Sequence, residues 1–364
     1  MLDAIVISDS GSDTYSASSP FRLQIEGKVA LIQNIKNYIQ NNGKLVYPID
    51  GENEKNWHYS YKLNGIKLDD CLQKGGCNIE LVYSYYQERV SCIKLLDEKP
   101  KSVIISTTSM LYKKTLVELV KEMRAFASDI FIIAGGPFVF SSYLLLERSK
   151  IQDYAVDSPK EDYLFLNKNN RPDIELYIVD KFGEHIFPEA LRLLENNRQV
   201  DHLPNTAHWN GSEYVFSERT ELKPADRTIA WENLPDKIFK PGVINIQASI
   251  GCPFNCEFCS MASILGTQTR VRPVEEVIEE IKSLHGRYIL FNDVNLAQEF
   301  DYYKELFRRL IPLKIKWGGQ ASWNIIKDRE MLELMAKSGC KSLHVGFETL
   351  QSQIGVPKIP PGDN

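Results

Sequence analysis

Short apolar runs alternate with helical periodicity along the first half of the chain, the pattern of a parallel sheet covered by helices on both faces. Ile5–Ser8 reads as a strand. Leu31, Ile32, Ile35 and Ile39 then fall at helical spacing before Asn42-Gly43, and Lys44–Tyr47 starts a further strand. Ser102–Ser106 is an apolar run, followed by a Thr/Ser loop and a helix whose inner stripe is Leu116, Leu119, Val120, Met123 and Phe126. Ile130–Ala134 runs into Gly135-Gly136-Pro137, and Leu176–Val179 leads through Asp180-Lys181-Phe182-Gly183-Glu184 into a helix carrying Leu191 and Leu194. The pattern predicts an α/β unit with an open, doubly wound, Rossmann-like parallel sheet, in which a ligand sits beyond the carboxyl ends of the strands.

The periodicity lapses over residues 196–242, where Asn, Gly and Pro accumulate and a small hairpin is expected around Asn210-Gly211. It resumes with Ile244–Ile250 and a helix from Pro273 that carries Val274, Val277, Ile278, Ile281 and Leu284 on one face. Strand Tyr288–Val294, helix Phe300–Leu310, strand Lys314–Trp317, helix Asp328–Ser338 and strand Ser342–Glu348 complete the series. The 364 residues therefore divide into a first domain over 1–195, a linker over 196–242 and a second domain over 243–364.

Composition narrows the function classes. With 43% hydrophobic and 25% charged residues the chain is an ordinary folding one. A formal charge of −5 gives no basic field for nucleic acid and no polybasic membrane anchor. The longest apolar runs fall far short of the roughly 18 residues that a membrane span needs. Met1-Leu2-Asp3 has an early acid and no cationic region, so it reads as the approach to a strand, and a cytoplasmic location is expected. Seven cysteines in such a chain are thiols or metal ligands in preference to bridges.

Three of them stand together in Gly251-Cys252-Pro253-Phe254-Asn255-Cys256-Glu257-Phe258-Cys259, directly after a strand. A loop of this kind can wrap a cuboidal cluster, and three thiolates for four irons leave one iron without a protein ligand. An open iron can bind a substrate or cofactor and pass it an electron, which a fully ligated cluster cannot. The alternative is zinc, which takes four ligands; no fourth Cys or His lies nearby in sequence, and His285 and Cys340 could approach only through the fold.

On these residues the sequence resembles the radical SAM family. The resemblance implies a [4Fe–4S] cluster on Cys252, Cys256 and Cys259, whose open iron chelates S-adenosylmethionine so that one electron releases a 5′-deoxyadenosyl radical. It places Phe258 beside the adenine. It gives Asn292 and Asp293, at the end of a strand, to the methionyl amino group, although the family's common pattern there is Gly-Gly-Glu or a pair of acids. Gln320 and Ser322 stand where ribose and carboxylate contacts lie, and Glu348 of Gly346-Phe347-Glu348 matches a sequence frequent on the fourth strand. Alternation puts His344 and Glu348 on one face of that strand, toward a barrel lumen, and Leu343, Val345 and Phe347 on the other.

The first domain is similar to the cobalamin-binding domain of one radical SAM subgroup. Ser106, Thr107 and Thr108 after one strand, Gly135 and Gly136 after the next, and Asp180, Gly183 and Glu184 before a helix carry this likeness. Glycines let the backbone approach a flat macrocycle, and hydroxyls and a helix start donate to its amide fringe. No Asp-x-His-x-x-Gly signature is present, so a histidine on the lower cobalt face is not expected. The resemblance implies a cobalamin-dependent methyltransferase acting on a small molecule or peptide and reduced by a protein such as flavodoxin or ferredoxin. Two readings stand beside it: a radical SAM enzyme without cobalamin, and a cluster-binding remnant. The remnant reading arises because Cys252 to Asn364 accommodates, at about 30 residues per unit, four strands of the family's six. A partial (β/α) barrel is therefore expected, with a possible partner chain completing it.

Overall fold

The computed structural model describes residues 2–9, 24–25, 28–29, 63–151, 159–196, 198–224, 228–239, 242–256, 259–284 and 286–346. The helix expected at 31–39, strand Lys44–Tyr47, and residues Phe258, His285, Phe347 and Glu348 lie outside these.

The first unit comprises β1 (Ala4–Ile7), the two-residue strands β2 (Gln24–Ile25) and β3 (Lys28–Val29), α1 (Leu63–Lys74), β4 (Ile79–Val82) and α2 (Tyr85–Asp97). It continues through β5 (Ser102–Ser106), α3 (Lys113–Phe126), β6 (Phe131–Gly135), α4 (Pro137–Ser149), β7 (Leu176–Ile178), α5 (Ile186–Glu195), β8 (Thr206–Trp209) and β9 (Tyr214–Phe216). Its sheet has the order β4-β1-β5-β6-β7-β8-β9; the first five strands are parallel, and β8 and β9 pair antiparallel. The chain steps from β1 to β4 on one side and returns to β5 on the other, so the direction of winding changes between β1 and β5. The hairpin assigned to the linker forms, and it extends this sheet from β7.

Every side chain of β1 is buried, because Ala4 and Val6 pack into one core while Ile5 and Ile7 pack into another. A strand buried on both faces reads as an unbroken apolar run, which is why Ile5–Ser8 was visible in the sequence. The stripe expected on α3 holds for Leu116, Leu119, Val120 and Met123, but Phe126 is 50% exposed in the last turn. The helices α1, α2 and α4 and strand β4 were not read from the sequence.

The second unit holds β10 (Val243–Ile246), β11 (Ser249–Ile250), α6 (Ser260–Leu265), β12 (Arg270–Val271), α7 (Val274–Ser283), β13 (Tyr288–Phe291), α8 (Phe300–Leu310), β14 (Lys316–Ser322), α9 (Arg329–Ser338) and β15 (Cys340–Gly346). Strands β10, β13, β14 and β15 form a parallel sheet in that order, and β11 and β12 form a separate antiparallel pair. The single strand expected over Ile244–Ile250 is broken at Gln247-Ala248. The third strand runs to Ser322, beyond the expected Lys314–Trp317. Trp317 is fully buried, stacked on Phe307 at 4.7 Å and edge-on to Phe291 at 5.3 Å, and its indole N–H donates to Ser338 Oγ at 3.1 Å. Removing that acceptor leaves a buried donor unpaired, so Ser338→Ala is expected to cost about 1–3 kcal/mol in urea unfolding.

One apolar core joins the units. Ala4, Val6, Ile104 and Ile133 of the first sheet share it with Ile229, Trp231, Leu234 and Ile238 of the intervening segment and with Ile246, Ile278 and Phe291 of the second unit. The segment read as a linker is therefore partly core.

Candidate functional site

Cys252, Cys256 and Cys259 are free and half-buried on the loop between β11 and α6. Gly251 starts this loop with φ +91°, in the left-handed region that side chains disfavour, and a Cβ there would stand 2.0 Å from the Gln268 carbonyl oxygen. Cys259 precedes α6, and its N–H donates to the Cys256 carbonyl at 3.0 Å. Burial pushes the Cys252 thiol up, opposed by hydrogen bonds to the Phe254 backbone and the Asn295 side chain. Among the described residues no three His, Cys, Asp or Glu side chains stand close enough to hold one metal ion.

Asp293 is fully buried behind the loop. Its carboxylate accepts from the N–H groups of Ala248, at 3.1 Å, and Ser249, and from the Tyr303 hydroxyl at 2.9 Å. The carboxylate expected to meet a ligand thus also holds the backbone ahead of Cys252. Asn292 is exposed, and only its backbone N–H is turned inward, to the Ile246 carbonyl at 2.7 Å.

Gln320 is exposed on β14, beside His344 of β15 in register, and its amide N–H donates to the carbonyls of Asp293 at 3.2 Å and Val294 at 3.1 Å. Ser322 donates its N–H to Asn295 Oδ1 at 2.9 Å, and its hydroxyl meets Asn295 and Asn324. Asn295 thus holds the end of β14 through Ser322 and, from beside Cys252, favours its charged form, a role that sequence reasoning missed. His344 is exposed on the face foreseen for it, whereas Val345 on the opposite face is 41% exposed and unlike Leu343 lies outside the core.

The residues singled out in the first unit all stand at or just after the carboxyl ends of the adjacent strands β5, β6 and β7. Ser106 and Thr108 hydroxyls meet at 2.9 Å, and Asn64 of α1 donates to Thr108 at 3.1 Å. Thr107 donates both its N–H, at 2.8 Å, and its hydroxyl, at 2.9 Å, to the Gly135 carbonyl, beside Gly136 at the start of α4. Asp180 accepts from Phe182 N–H at 2.8 Å and pairs with Arg219 at 3.0 Å. Arg219 also donates to the Val179 carbonyl and stacks over Tyr143 at 5.0 Å, so this arginine from beyond the hairpin braces the end of β7.

Gly183 and Glu184 begin the short turn before α5. Burial raises the Glu184 carboxyl above its usual 4.5, with Lys67 acting in the opposite direction, and Glu184 Oε2 has no hydrogen-bond partner. Burial and Glu184 together push the neighbouring Cys71 thiol up to about 11. A carboxyl raised on folding gives stability that is fully present below its unfolded value, near 4.5, and lost as pH rises through the folded value. Urea unfolding of the chain is therefore expected to weaken over that window, and Glu184→Gln is expected to flatten the slope.

Residues 246–362 match the radical SAM superfamily. The chain carries a radical SAM domain. Among curated proteins, the chain is 25% identical over 281 residues to an uncharacterized methyltransferase of Pyrococcus horikoshii, covering 74% of this chain and 56% of that one. It is 29% identical over 308 residues to the anaerobic magnesium-protoporphyrin IX monomethyl ester cyclase of Cereibacter sphaeroides, covering 77% and 46%. The bacteriochlorophyllide d C-12(1)-methyltransferase of Chlorobaculum tepidum is 29% identical over 141 residues, 37% of this chain and 31% of that protein. The chain thus spans about a third to a little over half of the length of these relatives. In fold it is similar to TsrM of Kitasatospora setae, a radical S-adenosylmethionine methyltransferase solved with cobalamin and a [4Fe–4S] cluster. The TM-score is 0.60 at 15% identity, covering 96% of this chain and 60% of TsrM.

Two contacts join α6, the helix that follows the cysteine loop, to the first unit. Lys181, next to Asp180, donates to the Leu265 carbonyl at the end of α6 at 3.3 Å, and α4, which starts at Gly136, packs against α6. The helix that starts at the last of the three cysteines is therefore packed beside the carboxyl end of the first sheet. Tyr303 and Gln298 were also missed. The available signal was a tyrosine on the buried stripe of α8 with Leu306, Phe307 and Leu310.

Proposed function

We propose that this chain holds the cofactor sites of a cobalamin-dependent radical SAM methyltransferase that methylates an unactivated carbon of a small-molecule or peptide substrate. The observation that supports this reading is the packing of α6, which follows the cysteine loop, against α4 and Lys181 at the carboxyl ends of β6 and β7. The parallel strands of the first unit, in the order β4-β1-β5-β6-β7, fit a doubly wound sheet whose ligand lies at these ends. The four parallel strands of the second unit fit part of a (β/α) barrel.

Three unbridged thiols in one half-buried loop suit a [4Fe–4S] cluster with one open iron. When bound, the cluster would supply the electron that cleaves S-adenosylmethionine, and cobalamin would carry the methyl group. Cys252, Cys256 and Cys259 would ligate the irons. Asn292, Gln320 and Ser322 would orient S-adenosylmethionine along one face of the second sheet, with Phe258 and Glu348 assigned to the same task from the sequence. Gly135 and Gly136 would leave room for the macrocycle while Ser106 and Thr108 hydroxyls and the turn at Gly183 and Glu184 meet its polar fringe. Asp180, tied to Arg219, would hold the edge of that site.

Anaerobic reconstitution decides among the readings. Iron and sulfide at four each per chain, bound cobalt, and 5′-deoxyadenosine formed on reduction are the expected results. Zinc in place of iron would overturn the cluster assignment. Iron with product but no cobalt retention would leave a radical SAM enzyme that does not use cobalamin.

A further inference from the structure

We propose that Asp293 and Tyr303 are positioning residues that fix the departure of the cysteine loop, an inference that rests on the cluster reading of Cys252, Cys256 and Cys259. The chain leaves β10 at Ile246 and re-enters a strand at Ser249, so Gln247 and Ala248 form a break where the Ala248 N–H turns to a side chain in place of a strand. Asp293 fills the gap: two successive N–H groups, of Ala248 and Ser249, converge on its two carboxylate oxygens. Charge-assisted bonds of this type are stronger and more directional than neutral ones. The Ala248 carbonyl is held from the other side by the Arg272 N–H at 2.8 Å, so the peptide is gripped on both edges.

Behind the carboxylate runs a one-way series of hydrogen bonds. Gln298 Nε2 donates to Ser249 Oγ at 3.1 Å, the Ser249 hydroxyl meets Tyr303 at 2.7 Å, and the Tyr303 hydroxyl donates to Asp293 at 2.9 Å. A tyrosine hydroxyl has one hydrogen, so giving it to Asp293 makes Tyr303 the acceptor from Ser249. Ser249 is therefore held through its backbone by Asp293 and through its side chain by Tyr303. Asp293 and Ser249 are fully buried, and so is Tyr303, so water is not at hand to replace any member. Gly251 and Cys252 follow at once. Their orientation is inherited from this clamp, which comes from the loop after β13 and from α8 and touches none of the cysteines itself.

The test compares Asp293→Asn and Tyr303→Phe with the parent chain. In cluster-free protein, backbone hydrogen exchange at Ala248 and Ser249 is expected to speed up in both variants. After reconstitution, iron loss to a chelator is expected to be about tenfold faster, the lower end of what losing an outer partner of a metal ligand costs. The electron paramagnetic resonance signature of the reduced cluster is expected to change at unchanged circular dichroism, which a purely structural role would not produce. Should Asp293→Asn fail to fold, Tyr303→Phe carries the test, because it keeps the carboxylate. Parent-like exchange, iron retention and signature in the folded variants would overturn the clamp. A parent chain that takes up no iron–sulfur cluster would instead sink the cluster reading, and the exchange rates would then decide the clamp alone.

Discussion

Alanine at Cys252, Cys256 or Cys259 is expected to bring the iron and sulfide of the reconstituted chain to background and to abolish formation of 5′-deoxyadenosine. Each thiolate serves a different iron, and two remaining thiolates cannot retain a cuboidal cluster that already has one open position. Alanine at Cys71, Cys77, Cys92 or Cys340 provides the control, because these thiols lie on other elements. Burial raises all four, as it does Cys252, so burial of the thiol does not by itself set Cys252 apart from them. Equal iron loss in a control and a ligand variant would contradict the assignment.

The second large effect is at Gly251. Alanine there must occupy a left-handed backbone and place Cβ 2.0 Å from the Gln268 carbonyl. The conformational penalty of about 1–2 kcal/mol and an overpacking term of about 1–3 kcal/mol together suggest about 2–5 kcal/mol. Gly339, after α9, meets the same conditions, with φ +100° and the Ile315 carbonyl 2.0 Å from where a Cβ would stand. Both substitutions are expected to lower stability in urea by similar amounts, but only Gly251→Ala is expected to cut iron uptake as well. Iron uptake falling equally in Gly339→Ala would show that general instability, and not loop geometry, governs the cluster.

The cysteine loop was legible because ligand spacing is local in sequence, and the strands β1, β5 and β6 because burial on both faces leaves an unbroken apolar run. α1 was hidden because Asp69 and Asp70 interrupt its apolar stripe. Both are buried all the same, Asp70 by pairing with Lys74 at 2.8 Å and by accepting from Ala230 N–H at 3.1 Å. The role of Asp293 was illegible for a similar reason. A strand-end acid carries no sign of which way its carboxylate faces, and here the answer depends on a break in β10 and on Tyr303 ten residues later. β14 was cut short because Gly318 and Gly319 have no side chain to register in a hydrophobic pattern, although both are buried.

The middle segment has a consequence for how far any bound group can travel. Trp231 donates to Glu280 of α7 at 2.8 Å, Glu280 pairs with Arg272 at 2.5 Å, Ala230 is tied to α1, and Lys67 of α1 reaches Gln247 at 2.6 Å. This stretch is mortar between two blocks and not a tether along which one swings. These links oppose a swing of one block against the other, so a substrate that reaches both is expected to enter the space between them.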